Sequence, residues 1–227
     1  MGDLRTLNER VLTARDIAGL VRGGDPVRLL ECTLIGVNFA EAEVLEWSFE
    51  KCDLRNANFD HCILENVAFT GCRGVEASVR YARLSEVVFK NCDLSNASFK
   101  HSQFAEVSFE GCKMLGMDFT DTSSSALTFG DCNLGLSHLQ KMSLRGETLK
   151  GVNFDQADLS GCDFRDAFLD TCSIRESNVA DANFQGADLR SCDLGGLQMA
   201  DARRFKGAII SKRQAADLLG QLGLKVV

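Results

Sequence analysis

The chain has 227 residues, with 25 Lys and Arg against 32 Asp and Glu, a net charge of −7, and 45% hydrophobic residues. That balance is that of a soluble globular protein, and a net negative chain does not attract nucleic acid by itself. No apolar run reaches the ~18 residues of a membrane span, and no compact apolar signal stretch stands at the front, so a cytoplasmic protein with no membrane contact and no direct nucleic-acid binding is expected.

The charge is unevenly spread. Residues 1–27 hold four acids and four bases, residues 28–201 hold 27 acids and 15 bases, and residues 202–227 hold one acid and six bases. An acidic body with a basic tail is an asymmetry a partner can use, although a solvated surface that keeps the protein in solution explains it as well.

Residues 1–27 read as an N-terminal cap. Thr13 suits a helix N-cap, Ile17, Leu20 and Val21 make one apolar face, and Gly23-Gly24 ends the helix. Such a helix is expected to cover the first coil of the repeat region.

Residues 28–204 carry a period of five. Taking every fifth residue from Leu29 to Met199, 33 of 35 positions are Leu, Phe, Val, Ile or Met, the exceptions being Gly74 and Ser124. We call this residue the centre. Two residues before it, 29 of 35 side chains are Ala, Cys, Ser, Thr or Val. Neither the helical 3.6 nor the strand 2.0 period gives this pattern. A five-residue unit points one small and one large side chain inward and then turns, and four units close a square coil of 20 residues. The expected fold is all-β: a right-handed quadrilateral β-helix of about nine coils with a short helical cap and a C-terminal helix/strand module. At the ~4.8 Å strand spacing the rod is roughly 42 Å long, and the column Phe49, Phe69, Phe89, Phe109, Phe129 can stack its rings. The weak repeats near Gly74, Thr122–Ser125 and Glu147 are places for a local bulge.

All ten cysteines fall on the small inward position. No C-x-x-C pair exists, and stacked inward Cβ atoms stay beyond the ~3.8 Å a disulfide prefers, so they read as buried reduced thiols filling space. His61 and His101 lie two coils apart, too far to share a metal, and His138 is alone. No phosphate loop, nucleophile elbow or metal-ligand spacing is present. The expectation is no enzyme, no cofactor and no metal.

Residues 205–227 read as a C-terminal capping and dimerisation module. Ser211 suits an N-cap, Ala215, Leu218, Leu219 and Leu222 form an apolar helix face, Gly223 closes it, and Leu224-Lys225-Val226-Val227 is a short strand. Ala215, Leu218, Leu219, Leu222, Leu224, Val226 and Val227 are the candidate homodimer interface, because an apolar face and a strand edge remain to be covered.

Units such as Ala157-Asp158-Leu159-Ser160-Gly161 and Ala187-Asp188-Leu189-Arg190-Ser191 resemble the pentapeptide-repeat family across residues 29–204. The ending from Gln214 to Val227 resembles that of its topoisomerase-protecting branch, which includes the Qnr and MfpA quinolone-resistance proteins and the albicidin-resistance and microcin-immunity proteins. Cys112-Lys113-Met114-Leu115-Gly116 is similar to a stretch of the albicidin-resistance type. The resemblance implies a dimer joined through its C-terminal module that mimics duplex DNA, binds DNA gyrase and sometimes topoisomerase IV, and counteracts poisons that trap cleaved DNA. The unbroken register, without a long insertion, is closer to the loop-free MfpA type than to members with projecting loops.

The charge permits such mimicry in part. B-DNA carries one charge per ~1.7 Å, and a net −12 over roughly 42 Å is about one per 3.5 Å. Residues 151–201 are richest, with ten acids against three bases. Asp158, Asp163, Asp166, Asp170, Glu176, Asp181, Asp188 and Asp193 are therefore the candidate partner-binding surface. A protein–protein interaction scaffold or regulator unrelated to gyrase is the alternative.

Overall fold

A computed structural model describes residues 5–225. Its strands, in chain order, are β1 (Arg5–Asn8), β2 (Val27–Leu30), β3 (Glu43–Leu45), β4 (Ser48–Glu50), β5 (Ile63–Glu65) and β6 (Ala68–Thr70). There follow β7 (Arg83–Lys90), β8 (Gln103–Glu110), β9 (Ser123–Ser124), β10 (Leu127–Gly130), β11 (Thr148–Lys150) and β12 (Phe168–Asp170). Helix α1 (Ala14–Gly23) lies between β1 and β2, and a 3-10 turn (Met199–Phe205) and helix α2 (Lys212–Gly220) close the chain.

All strand pairs are parallel, and between β2 and β12 each residue pairs with the one 20 further on: Leu29 with Phe49, Phe49 with Phe69, Phe69 with Phe89. One side of the rod is the ladder β1-β2-β4-β6-β7-β8-β10-β11-β12. The other sides continue the same step as isolated bridges, such as Thr33–Asp53–Arg73–Asp93. The fold is the expected parallel β-solenoid.

The period of five follows from backbone geometry. The centre and the small residue two before it share a strand face and both point inward. The residue two after a centre then takes the left-handed conformation and turns the corner, with Ala126, Ser191 and Asp201 as exceptions. Twenty-four non-glycine residues have φ between 51° and 64°, 23 of them two places after a centre and Glu9 two after Leu7, among them Asn56, Asn66, Asn96 and Asp121. Gly, Asn and Asp tolerate that conformation best, yet Glu is the commonest non-glycine residue there, so the coil imposes the turn on side chains with no preference for it. Coil-to-coil bonds alternate along the chain: Leu34 N–H donates to Asp53 O (2.8 Å) and Asp53 N–H donates back to Cys32 O (2.9 Å).

The interior is one continuous column of buried apolar side chains. Phe49, Phe69, Phe89 and Phe109 stack with ring centroids 4.6–4.8 Å apart and interplanar angles of 4–11°. Rings from the next side meet them edge-on, as Phe99 meets Phe109 at 84°. At Gly74 the ladder is unbroken, with Gly74 N–H donating to Asp93 O (2.7 Å). The missing side chain leaves an apolar cavity of about 20 Å³ beside Phe69, Phe89 and Leu94. Glu147 is also in register, its carbonyl accepting from Phe168 N–H (2.9 Å). At Ser124 the regularity loosens: this centre is exposed.

Both ends differ from what the sequence leads one to expect. At the front, helix α1 carries the capping box of Thr13 and Asp16, buries Ile17 and Leu20, and ends on Gly24 with φ 70°. The strand before it, β1, is an element the sequence does not announce. It pairs Arg5 with Val27 and Leu7 with Leu29, a step of 22 because α1 is spliced into this first coil. At the back, the coil path continues past Met199. The 3-10 turn adds one residue, so Asp188 bridges Ile209 and Phe205 stacks on Phe184 at 4.4 Å. Helix α2 has a capping box from Ser211 and Gln214. It ends at Gly220, and Gly223 lies in the following turn with φ 76°. Leu224 and Lys225 are not in a strand, and Val226 and Val227 lie outside the described residues.

Candidate functional site

The outer surface of the rod is set by the residue just before each centre. When it is Asp or Asn, its side chain accepts the N–H two residues on and fixes the turn. Asn58 does this for Asp60 N–H (2.9 Å), Asp118 for Thr120 N–H (2.9 Å) and Asn183 for Gln185 N–H (3.0 Å).

Four of the eight candidate acids occupy this position. Asp158 accepts from Ser160 N–H (3.0 Å) and Gln140 Nε2 (2.7 Å), and Asp193 accepts from Gly195 N–H (2.9 Å) and Arg175 Nη1 (3.1 Å). Asp163 and Asp188 each hold a two-pronged pair with Arg165 and Arg190, closest contact 2.6 Å in both. The guanidinium hydrogen bonds keep both carboxyls below the ordinary Asp range. Asp166, Glu176 and Asp181 instead stand exposed at left-handed corners. Asp166 lies 3.6 Å from Arg145, and Glu176 accepts from Gln156 Nε2 (3.1 Å). Asp170 accepts from Ser191 Oγ (3.2 Å).

These eight do not form one patch. Assigned by their centres, Asp170 and Asp188 lie on one side of the square, Glu176 and Asp193 on the next, Asp158 and Asp181 on the third, and Asp163 and Asp166 on the fourth. Their field surrounds the C-terminal coils rather than facing one way.

A one-sided acidic stripe exists elsewhere. Glu43, Glu46, Glu65, Glu86 and Glu106 flank the centres Val44, Leu64, Leu84 and Phe104, which stack in one column. Among the described residues none of these five makes an ion pair, and Arg83 is the base that interrupts them. Charge counted in blocks along the chain misses the stripe. Charge counted modulo 20 finds it, because the five glutamates fall on three recurring positions of one side. On the neighbouring corner His61, Tyr81 and the half-buried His101 form a surface stack with centroids 5.0 and 4.8 Å apart.

The ten cysteines are all buried and free. Eight of them donate Sγ–H to the carbonyl of the centre 23 residues earlier, as Cys62 to Phe39 O (2.8 Å) and Cys162 to Leu139 O (3.0 Å). Ser102, Ser137 and Ser177 do the same from the same position, to Val79, Met114 and Phe154 O at 2.5–2.9 Å. The small residue is therefore also a donor between coils, which size alone does not reveal. Burial pushes the Cys62 and Cys162 thiols up to about 12 and Cys172 to about 11. Among the described residues no group of three or more His, Cys, Asp or Glu could hold a metal ion.

At the C-terminal end, α2 lies against the last coil. Gln214 is buried and its Nε2 donates to Leu189 O and Cys192 O, both at 2.7 Å, and Leu189 O also accepts from Cys192 N–H (2.9 Å). Of the candidate dimer residues, Ala215, Leu218 and Leu219 are half-buried, and Leu222 and Leu224 are 58% and 55% exposed. No described helix is long and apolar enough to cross a membrane.

No curated protein matches the sequence. Among solved structures, a trypsin-treated form of QnrB1, a plasmid-mediated fluoroquinolone resistance protein, is 25% identical with a TM-score of 0.70, covering 86% of this chain and 97% of that one. Full-length QnrB1 is 17% identical with a TM-score of 0.64, covering 96% and 100%. HetL, a pentapeptide-repeat protein involved in heterocyst differentiation regulation from the cyanobacterium Nostoc, is 19% identical with a TM-score of 0.50, covering 82% and 86%. A family model described as a pentapeptide repeat region matches residues 82–153 and 126–199, and one for eight copies of the pentapeptide repeat matches residues 52–91. With the inward pairs, the left-handed corners and the 20-residue step all in place over the matched stretch, the chain belongs to the pentapeptide-repeat family.

Proposed function

We propose that this protein is a DNA-mimicking rod that binds DNA gyrase, with topoisomerase IV as a second target of the same kind, and protects it from a topoisomerase poison. The observation that carries the reading is likeness to QnrB1 across 97% of that chain, in a coil body whose residues 28–201 hold 27 acids against 15 bases. An extended negative field of this kind suits a positively charged DNA saddle and speeds association. In this reading the eight C-terminal acids give a field around the rod, and the stripe from Glu43 to Glu106 gives it a strongest side. Homodimerisation through Leu218, Leu219, Leu222 and Leu224 of the C-terminal module belongs to the same proposal.

The test is supercoiling of relaxed plasmid by purified gyrase, with and without a fluoroquinolone. The protein is expected to restore supercoiling in the presence of the drug and to lower the amount of cleaved plasmid. Reversing Glu43, Glu46, Glu65, Glu86 and Glu106 together to Lys should abolish the effect while the fold survives, since none is in the core. Binding should weaken with salt, because surface charges screen over ~10 Å at 0.1 M. If the folded protein neither binds gyrase nor changes its supercoiling at low salt, an interaction scaffold replaces this reading. The pairing of Asp163 with Arg165 and of Asp188 with Arg190 favours that second reading, since it damps the charge where acids are densest.

A further inference from the structure

The N-terminal mouth of the solenoid inverts the charge of the body. In the first coil, Arg5 stands over Val27 and, by the Val11–Thr33 bridge, Arg10 stands over Cys32. These are inward positions: the column behind Arg5 holds mostly Val and Ala, with Trp47, Leu127 and Glu147 among them, and the column behind Arg10 holds Cys throughout except Val152. At the open end an arginine can occupy such a column with its head in water. Arg15 of α1 lines the same groove, whose floor is Leu7, Leu12 and Leu20 and whose volume is about 520 Å³. Among the described residues none of the three arginines makes an ion pair. Asp16, the carboxylate lining the groove, is engaged by Thr13 N–H (2.8 Å) and Thr13 Oγ1–H (2.6 Å).

The strand under this groove has a free edge. Among the described residues β1 is the end of its ladder and pairs with β2 alone. Arg5 N–H donates to Pro26 O (3.3 Å) and Glu9 N–H to Leu30 O (2.9 Å). Successive residues of a strand point their amides to opposite sides, so Thr6 and Asn8 direct theirs away from β2. A free edge with alternating cationic and apolar inward positions fits an extended chain whose own inward side chains alternate acidic and apolar.

We propose that this mouth is a docking site for an extended acidic segment of a partner protein, which adds to the free edge of β1 as a further strand and places its carboxylates against Arg5, Arg10 and Arg15. The occupant is chosen by charge complementarity. The inference is independent of the gyrase reading, which concerns the acidic sides of the rod.

The probe is a fluorescein-labelled peptide of repeated Glu-Thr-Leu-Thr units, titrated with the full chain and followed by fluorescence anisotropy. Saturable binding is expected, lost when each Glu of the peptide is replaced by Lys. The double variant Arg5→Glu/Arg10→Glu should weaken binding at least tenfold. Arg203→Glu, an exposed reversal at the other end, should leave it unchanged. Thr6→Pro removes the outward amide without touching a charge and should also weaken binding tenfold, with circular dichroism confirming that each variant is folded. The proposal is overturned if the wild type does not bind the peptide, or if the arginine reversals bind as well as wild type. It is equally overturned if Thr6→Pro binds normally or inorganic polyphosphate displaces the peptide from wild type and Thr6→Pro alike, since the mouth would then be a simple anion site or only a cap.

Discussion

Gly74 stands where every other coil places Leu, Ile, Phe or Met, and the solenoid does not close the gap. The cavity it leaves is about 20 Å³ and wholly apolar. It has the room of about one water but offers that water no polar partner, so it stays dry. Gly74 is not in the left-handed region, and a Cβ built on it meets Leu94 Cδ2 at 3.0 Å, the movable end of a side chain. Gly74→Ala therefore adds one buried methyl, worth about 0.8 kcal/mol, and removes the glycine entropy cost of about 0.5–1 kcal/mol. Shifting Leu94 by a few tenths of an ångström offsets part of this, so the net expected gain is about 1 kcal/mol. Gly74→Leu demands several times the available volume and should cost about 1–3 kcal/mol as an overpacked core. Urea or thermal denaturation of the three proteins reads the sign directly. A destabilised Gly74→Ala, or a Gly74→Leu as stable as wild type, would refute the rigid packing around Leu94 and Phe89 on which these values rest.

Gln214→Ala should cost about 1–3 kcal/mol, because it leaves Cys192 O without its donor, while Leu189 O keeps the N–H of Cys192; a variant whose denaturation midpoint is unchanged would show that another group satisfies Cys192 O. The thiols predict a loss of stability at alkaline pH. Cys62 and Cys162, raised to about 12 by burial, stay neutral in the fold, whereas an unfolded thiol ionises near ~8.5. Their contribution is thus full below about pH 8.5 and is lost as pH rises towards 12. Denaturation midpoints should fall between about pH 8 and about pH 10.5, and the double variant Cys62→Ala/Cys162→Ala should show a shallower fall; equal slopes would remove the thiols from the account.

The period of five makes the coil body legible because each unit must repeat the same inward pair, and Leu29, Phe49 and Phe69 fall into one column on spacing alone. The ends are harder. Arg5 and Leu7 keep the inward rhythm, but α1 shifts them by two residues, so a search in the register of Leu29 passes over β1. The single residue added before Phe205 hides the last stacking partner of Phe184 in the same way. Density along the chain picks out the candidate acids, whereas neighbours on this rod are 20 apart, so Asp158 and Asp163 point to different sides while Glu46, Glu86 and Glu106 share a corner. The second role of Cys62 and Ser102 is invisible for another reason: a hydrogen bond to a carbonyl 23 residues back depends on coil geometry and leaves no mark on side-chain size.

The alternating bonds between coils, such as Leu34 to Asp53 and Asp53 back to Cys32, run along the rod and tie each turn only to its neighbours. A load applied between the two termini is therefore borne by one ring of bonds at a time, opened in sequence rather than sheared together. The mechanical strength of the rod is that of its weakest turn and does not grow with the number of turns. Failure should begin at the termini or at the loosened turn around Ser124, with Gln214 and the buried face of α1 serving as the fastenings that resist the first step.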